Sequence, residues 1–103
     1  MFRLQTLATV LMVAIPTSVH AQARSTWVYE DNGGGYFEAD GGGAWTEVTA
    51  TANFRFQEVE RTRDYVQMHD ASRKISVRIY ASHLYIRYPG SGGWQFRYNG
   101  HWQ

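Results

Sequence analysis

Ile75-Ser76-Val77-Arg78-Ile79-Tyr80-Ala81-Ser82-His83-Leu84-Tyr85-Ile86-Arg87-Tyr88 is the most regular stretch of the chain. Aliphatic residues alternate with polar or aromatic ones on both sides of a short link at Ser82. Successive side chains of a strand point to opposite faces, so Ile75, Val77 and Ile79 share one face. Leu84, Ile86 and Tyr88 share one face of the next strand. Two short alternating runs joined by so short a link read as an antiparallel pair.

The same pattern extends in both directions. Downstream, Trp94, Phe96 and Tyr98 fall on one parity. Upstream, Val66 with Met68 and Phe54 with Phe56 give matching apolar pairs. Val59 lies on the opposite parity from Phe56, which predicts a bulge or an early strand end near Gln57–Glu58. Eight candidate strands cover about 26–31, 35–39, 44–51, 53–60, 65–69, 74–81, 83–88 and 94–98. They are rich in Trp, Tyr, Phe, Val, Ile and Thr, as strands prefer. Glycine clusters at 33–35, 41–43 and 90–93 separate some of them. Asp70-Ala71-Ser72-Arg73 suits a type I turn, and Asn99-Gly100 is a further turn signal. No run beyond the first two dozen residues has helical periodicity. The expected fold is all-β, an antiparallel meander of about eight short strands. It closes into a small up-and-down barrel or stays a strongly coiled open sheet. Trp27 and Trp94 are assigned to the core; Trp45 and Trp102, near turns, are assigned to exposed positions.

The chain has 103 residues, no cysteine, 16% aromatics and a formal charge of +1. That length admits one small domain and excludes a TIM barrel or a complete dinucleotide-binding enzyme. The near-neutral charge argues against a nucleic-acid partner. Residues 1–21 read as a secretory signal peptide: Arg3, an apolar run from Leu7 to Ile15, Pro16, then Val19-His20-Ala21 before the cut. Cleavage after Ala23 is the alternative. The apolar run is about half the ~20 residues that a spanning helix needs, so no membrane span is expected once it is removed. The expected product, 22–103, is a single exported domain, periplasmic or extracellular, held by packing without disulfides.

Charge is segregated along the chain. Residues 22–70 hold nine acids and four arginines, a net −5. Residues 71–103 hold Arg73, Lys74, Arg78, Arg87 and Arg97 and no acid, a net +5. If the aliphatic sets face the core, Arg78 and Tyr80, Tyr85 and Arg87, and Arg97 face outward, joined by Arg55. Guanidinium groups suit carboxylate, phosphate and sulfate and stack on rings. Arg55, Arg78, Tyr80, Tyr85, Arg87 and Arg97, with Trp45 and Trp102, are therefore the candidate ligand-binding residues. The expected function is non-catalytic binding of an anionic or polysaccharide ligand of the cell envelope. The alternative is a structural or assembly module, joined to another exported protein, with its charges paired internally across strands.

Catalytic signals are missing. There is no His-Glu-x-x-His and no Gly-x-Ser-x-Gly. His69 and Asp70 are adjacent, so they point to opposite faces. Glu58 and Glu60 are two apart, a spacing typical of solvated side chains. The glycine triplets lack the Gly-Lys-Ser/Thr ending and the helix of a phosphate loop. No cofactor, metal or enzymatic activity is expected.

Phe54-x-Phe56-x-Glu58-x-x-Arg61-Thr62-x-Asp64-Tyr65-Val66 continues through Met68, Asp70, Arg73 and Val77-Arg78-Ile79 to Gly93-Trp94 and Tyr98-Asn99-Gly100-x-Trp102. This pattern resembles one found in small, uncharacterised exported bacterial all-β proteins and covers most of residues 27–102. The resemblance implies that 22–103 forms one complete domain; it implies no activity. Within it, Glu58, Arg61, Asp64, Asp70 and Arg73 flank two successive turns and are read as one structural charge network, with a binding rim as the second reading.

Overall fold

A computed structural model describes residues 24–103. The signal-peptide assignment, residues 1–21, lies outside the described residues. Eight antiparallel strands follow one another around a closed barrel: β1 (Thr26–Tyr29), β2 (Gly35–Gly41), β3 (Ala44–Thr49), β4 (Asn53–Arg61), β5 (Val66–Asp70), β6 (Ile75–Ile79), β7 (His83–Arg87) and β8 (Gln95–Trp102). Each strand pairs with its sequence neighbour, and β1 pairs with β8. Closure, rather than an open sheet, removes every free edge. Among the described residues no helix is long and apolar enough to cross a membrane.

Alternation puts one face of each strand inside. Val66 and Met68, Ile75, Val77 and Ile79, and Leu84 and Ile86 are all buried, as their parity requires. Tyr88 instead lies half out at one rim. The phase slip in β4 is a bulge: Glu58 pairs with Met68 and Glu60 with Gln67, so Val59 is the extra residue and is 56% exposed.

A bulge also corrects the reading of β8. Leu84 pairs with Tyr98 and Tyr85 with Phe96, so Arg97 is the extra residue. Tyr98 therefore points inward, while Phe96 joins Tyr85 on the outside and is 50% exposed. Trp94 lies outside as well, against two arginines. The expected turn at Asn99-Gly100 is also wrong, because both residues sit inside β8. Gly100 pairs with Tyr29 across the closing seam, and Trp27 fills the space a side chain there would need.

The two ends of the barrel differ. The end bearing the β2–β3, β4–β5 and β6–β7 links is plugged by tryptophans. Trp45, expected near the surface, is 1% exposed, because β3 starts at Ala44 and carries it inward. Its ring meets Trp102 edge-on at 6.2 Å. Trp27 is fully buried there, and its Nε1 donates to the Tyr80 carbonyl at 3.1 Å. Tyr29, Phe37, Phe56 and Tyr98 fill the middle. Toward the other end the side chains stop short of filling the interior and leave a cavity.

Candidate functional site

β6 and β7 bring the outward residues of the opening stretch together. Arg78 pairs with Gln67 on β5 and with Tyr85 on β7. Its Nε donates to Gln67 Oε1 at 2.8 Å, which orients the side chain. The guanidinium lies 4.5 Å from the Tyr65 ring centroid and 4.6 Å from that of Trp94. Arg87 lies 4.5 Å from Trp94. Tyr65, Tyr80, Tyr85 and Phe96 run alongside with successive centroids 5.3, 5.6 and 6.0 Å apart. His83 stands edge-on to Phe96 at 5.9 Å. Arg78, Tyr80, His83, Tyr85 and Trp94 line an open concavity of about 400 Å³.

The charge of this face is uncompensated at close range. Among the described residues the ion pairs are Arg61–Glu58 at 3.0 Å, Arg63–Asp64 at 3.8 Å and Arg73–Asp70 at 2.6 Å. Neither Arg78 nor Arg87 has a carboxylate within that reach. Both lie against aromatic rings; such cation–π contact contributes about 0.5–2 kcal/mol without neutralising the charge. The nearest acid hydrogen-bonded into the cluster is Glu60, which accepts from Tyr65 Oη at 2.8 Å and raises the tyrosine's pKa.

Of the eight candidate ligand residues, Arg78, Tyr80, Tyr85 and Arg87 are gathered here. Arg55 is not. It pairs with Thr46 on β3, and the row that reaches Arg87 through His69 and Ser76 contains Gln57 instead. Arg97 sits at the cavity mouth, against Tyr98. Trp45 is inside the barrel, with Trp102 packed on the core. Tyr65, His83, Trp94 and Phe96 were missed. Tyr65 and His83 share the outward parity of their strands and were legible from it. Phe96 and Trp94 were hidden by the bulge at Arg97.

The proposed charge network separates into independent pieces. Glu58 accepts from Trp45 Nε1 at 2.9 Å and from Arg61 through Nε and Nη2, both at 3.0 Å. The Arg61 hydrogen bond holds its pKa below the ordinary carboxylate value despite burial. Asp64 pairs with Arg63 at the surface. Asp70 takes the amide and hydroxyl of Ser72 and the Nε of Arg73, whose guanidinium also lies 3.7 Å over the Phe54 ring. Burial pushes the Asp70 carboxyl up, but these hydrogen bonds outweigh it and hold its pKa at about 2. A lowered folded-state value contributes stability that is complete above the unfolded value of 3.8 and is lost as pH falls toward 2. Acid melts should therefore show Asp70→Asn losing about 1–2 kcal/mol at pH 6 and converging with the native chain near pH 2.

Among the described residues no three His, Asp or Glu side chains gather as a metal site. Comparison of the chain with family models, curated proteins and solved structures finds no match.

Proposed function

We propose that this protein is an exported, non-catalytic binding module that holds an anionic ligand of the cell envelope on the outer β5–β8 face. One observation carries the reading. Arg78 lies against Tyr65 and Trp94, Arg87 lies against Trp94, and neither has a carboxylate partner within ion-pair reach among the described residues. Paired charges would favour an assembly module closed on its own electrostatics; these two charges are free for a partner. Both guanidiniums already lie against Trp94, so its ring is a support for the arginines rather than a platform for a sugar. Affinity then comes from carboxylate or sulfate groups, in bidentate contact with the guanidinium edges. The signal-peptide reading of residues 1–21 supplies the envelope setting.

Dextran sulfate and polygalacturonate are suitable probes, with neutral dextran as the control. Binding to the charged polymers should weaken steadily as salt rises. Arg78→Glu and Arg87→Glu should each lower it about tenfold or more, with melting temperature held within a few degrees. Equal binding to neutral dextran, indifference to salt, or unchanged binding by both variants would overturn the proposal.

A further inference from the structure

The barrel interior holds a cavity separate from the outer face. The cavity at the end away from the tryptophan plug measures about 340 Å³. An eight-stranded barrel is wide enough to hold one small ligand when its side chains leave room. Apolar side chains, Phe56, Leu84 and Ile86 among them, share the wall with polar ones, Thr49, Thr51 and Arg97. Into this space projects Glu47, from the middle of β3, only 7% exposed.

Glu47 is half satisfied. Its Oε2 accepts from Tyr29 Oη at 2.6 Å, and Oε1 has no hydrogen-bond partner among the described residues. No fully buried side-chain oxygen or nitrogen among those residues lacks a partner, so Oε1 opens on the cavity. Burial pushes the Glu47 carboxyl above its ordinary pKa, against the Tyr29 hydrogen bond and the fields of Arg73 and Arg97. The pair is rigidly mounted. Tyr29 stacks on Tyr98 at 4.0 Å and 5°. It also crosses Gly35 so closely that a Cβ there would lie 2.6 Å from Tyr29 Cζ. A rigidly mounted carboxylate with one oxygen facing a cavity is a useful feature for a binding site.

The mouth carries the opposite sign. Arg73 is occupied by Asp70 and Phe54. Arg97, the bulged residue of β8, lies 5.0 Å from the Tyr98 centroid and has no carboxylate within ion-pair reach among the described residues. The unpaired Arg97 guanidinium at the entrance disfavours a cationic ligand. A plain alkyl tail would cover Glu47 Oε1 and offer it no donor. We propose that the cavity binds a small acid with an apolar, ring-sized body, its far end donating a hydrogen bond to Glu47 and its carboxylate meeting Arg97 at the mouth.

Three probes separate the parts of this proposal on the unsubstituted protein: 3-(4-hydroxyphenyl)propionate, 3-phenylpropionate, which lacks the donor, and 4-ethylphenol, which lacks the acid. Calorimetric titration at up to roughly millimolar ligand should show saturable one-to-one binding of the hydroxy acid. Each of the other two should bind about tenfold more weakly. Arg97→Ala should weaken both acids and leave 4-ethylphenol unchanged. Glu47→Met, which removes both carboxylate acceptors at similar length, should erase the preference for the hydroxy acid over 3-phenylpropionate. Arg87→Glu should change none of these affinities, so failure here and failure of the outer face are read separately. No saturable binding of the hydroxy acid, or equal binding of all three probes, overturns the proposal. So does a preference that survives Glu47→Met. If Glu47→Met does not fold, the three-probe series on the native chain decides alone.

Discussion

Valine in place of Gly100 lowers the unfolding free energy by about 3 kcal/mol or more, read from urea melts followed by tryptophan fluorescence. Gly100 faces inward at the seam that closes the barrel, opposite Tyr29. Its missing side chain is what lets the seam form. A Cβ there would collide with the Val28 carbonyl oxygen and would lie 2.5 Å from Trp27 Cη2 and 2.7 Å from Trp27 Cζ2. Side chains can rotate away from a crowded position, but the Val28 carbonyl belongs to the ladder itself. Relief therefore means parting β1 from β8. Small domains have about 5–15 kcal/mol in hand, so this one substitution removes a large share. Adding Trp27→Ala to Gly100→Val should recover only part of the combined cost, because the collision with Val28 persists. A variant that melts within about 0.5 kcal/mol of the native chain would show that the seam is looser than described.

Trp27→Ala alone should cost about 3–5 kcal/mol. The indole is fully buried, and its Nε1 ties β1 to the Tyr80 carbonyl at the β6–β7 link. Alanine leaves a large cavity at the plugged end and a carbonyl without its donor. Trp94→Ala is the matched control. That ring lies on the outer face, supporting Arg78 and Arg87, and its loss should cost less than about 1 kcal/mol while reducing binding of the sulfated polymer. Similar losses of stability in both variants would contradict the assignment of one tryptophan to the core and the other to the site.

These two tryptophans show how far the sequence can be read. Composition and turn signals located the eight strands, and period-two alternation gave the inward sets of β5 and β6, Leu84 and Ile86 of β7, and the slip at Val59, because burial on one face constrains every second residue. The same rule misassigned Trp94 and Phe96. A bulge adds one residue and reverses parity beyond it, and nothing in Gln95-Phe96-Arg97-Tyr98 marks Arg97 as the extra one. Asn99-Gly100 was read for glycine's backbone freedom, whereas the seam uses Gly100 for its lack of bulk. The segregation of charge along the chain was visible as well, but not its outcome. Pairing is set by register between strands, and register left Arg78 and Arg87 beside rings and Arg73 beside Asp70. Glu47 carried no signal at all, since one acid among alternating residues looks like any solvated one.

The pairing of β1 with β8 also fixes the order in which the chain can be completed. Strands β2 to β7 each meet both partners as the polypeptide lengthens, through links of a few residues. β1 waits for residues 100–102, more than seventy positions later. Until they arrive, β1 and β7 present raw edges, and Trp27 lacks the strand that covers it. The last pairing to become possible as the chain lengthens is thus a long-range ring closure, which carries the entropy cost of the intervening chain. A polypeptide halted before residue 95 keeps two adhesive edges and pairs with its neighbours instead of itself.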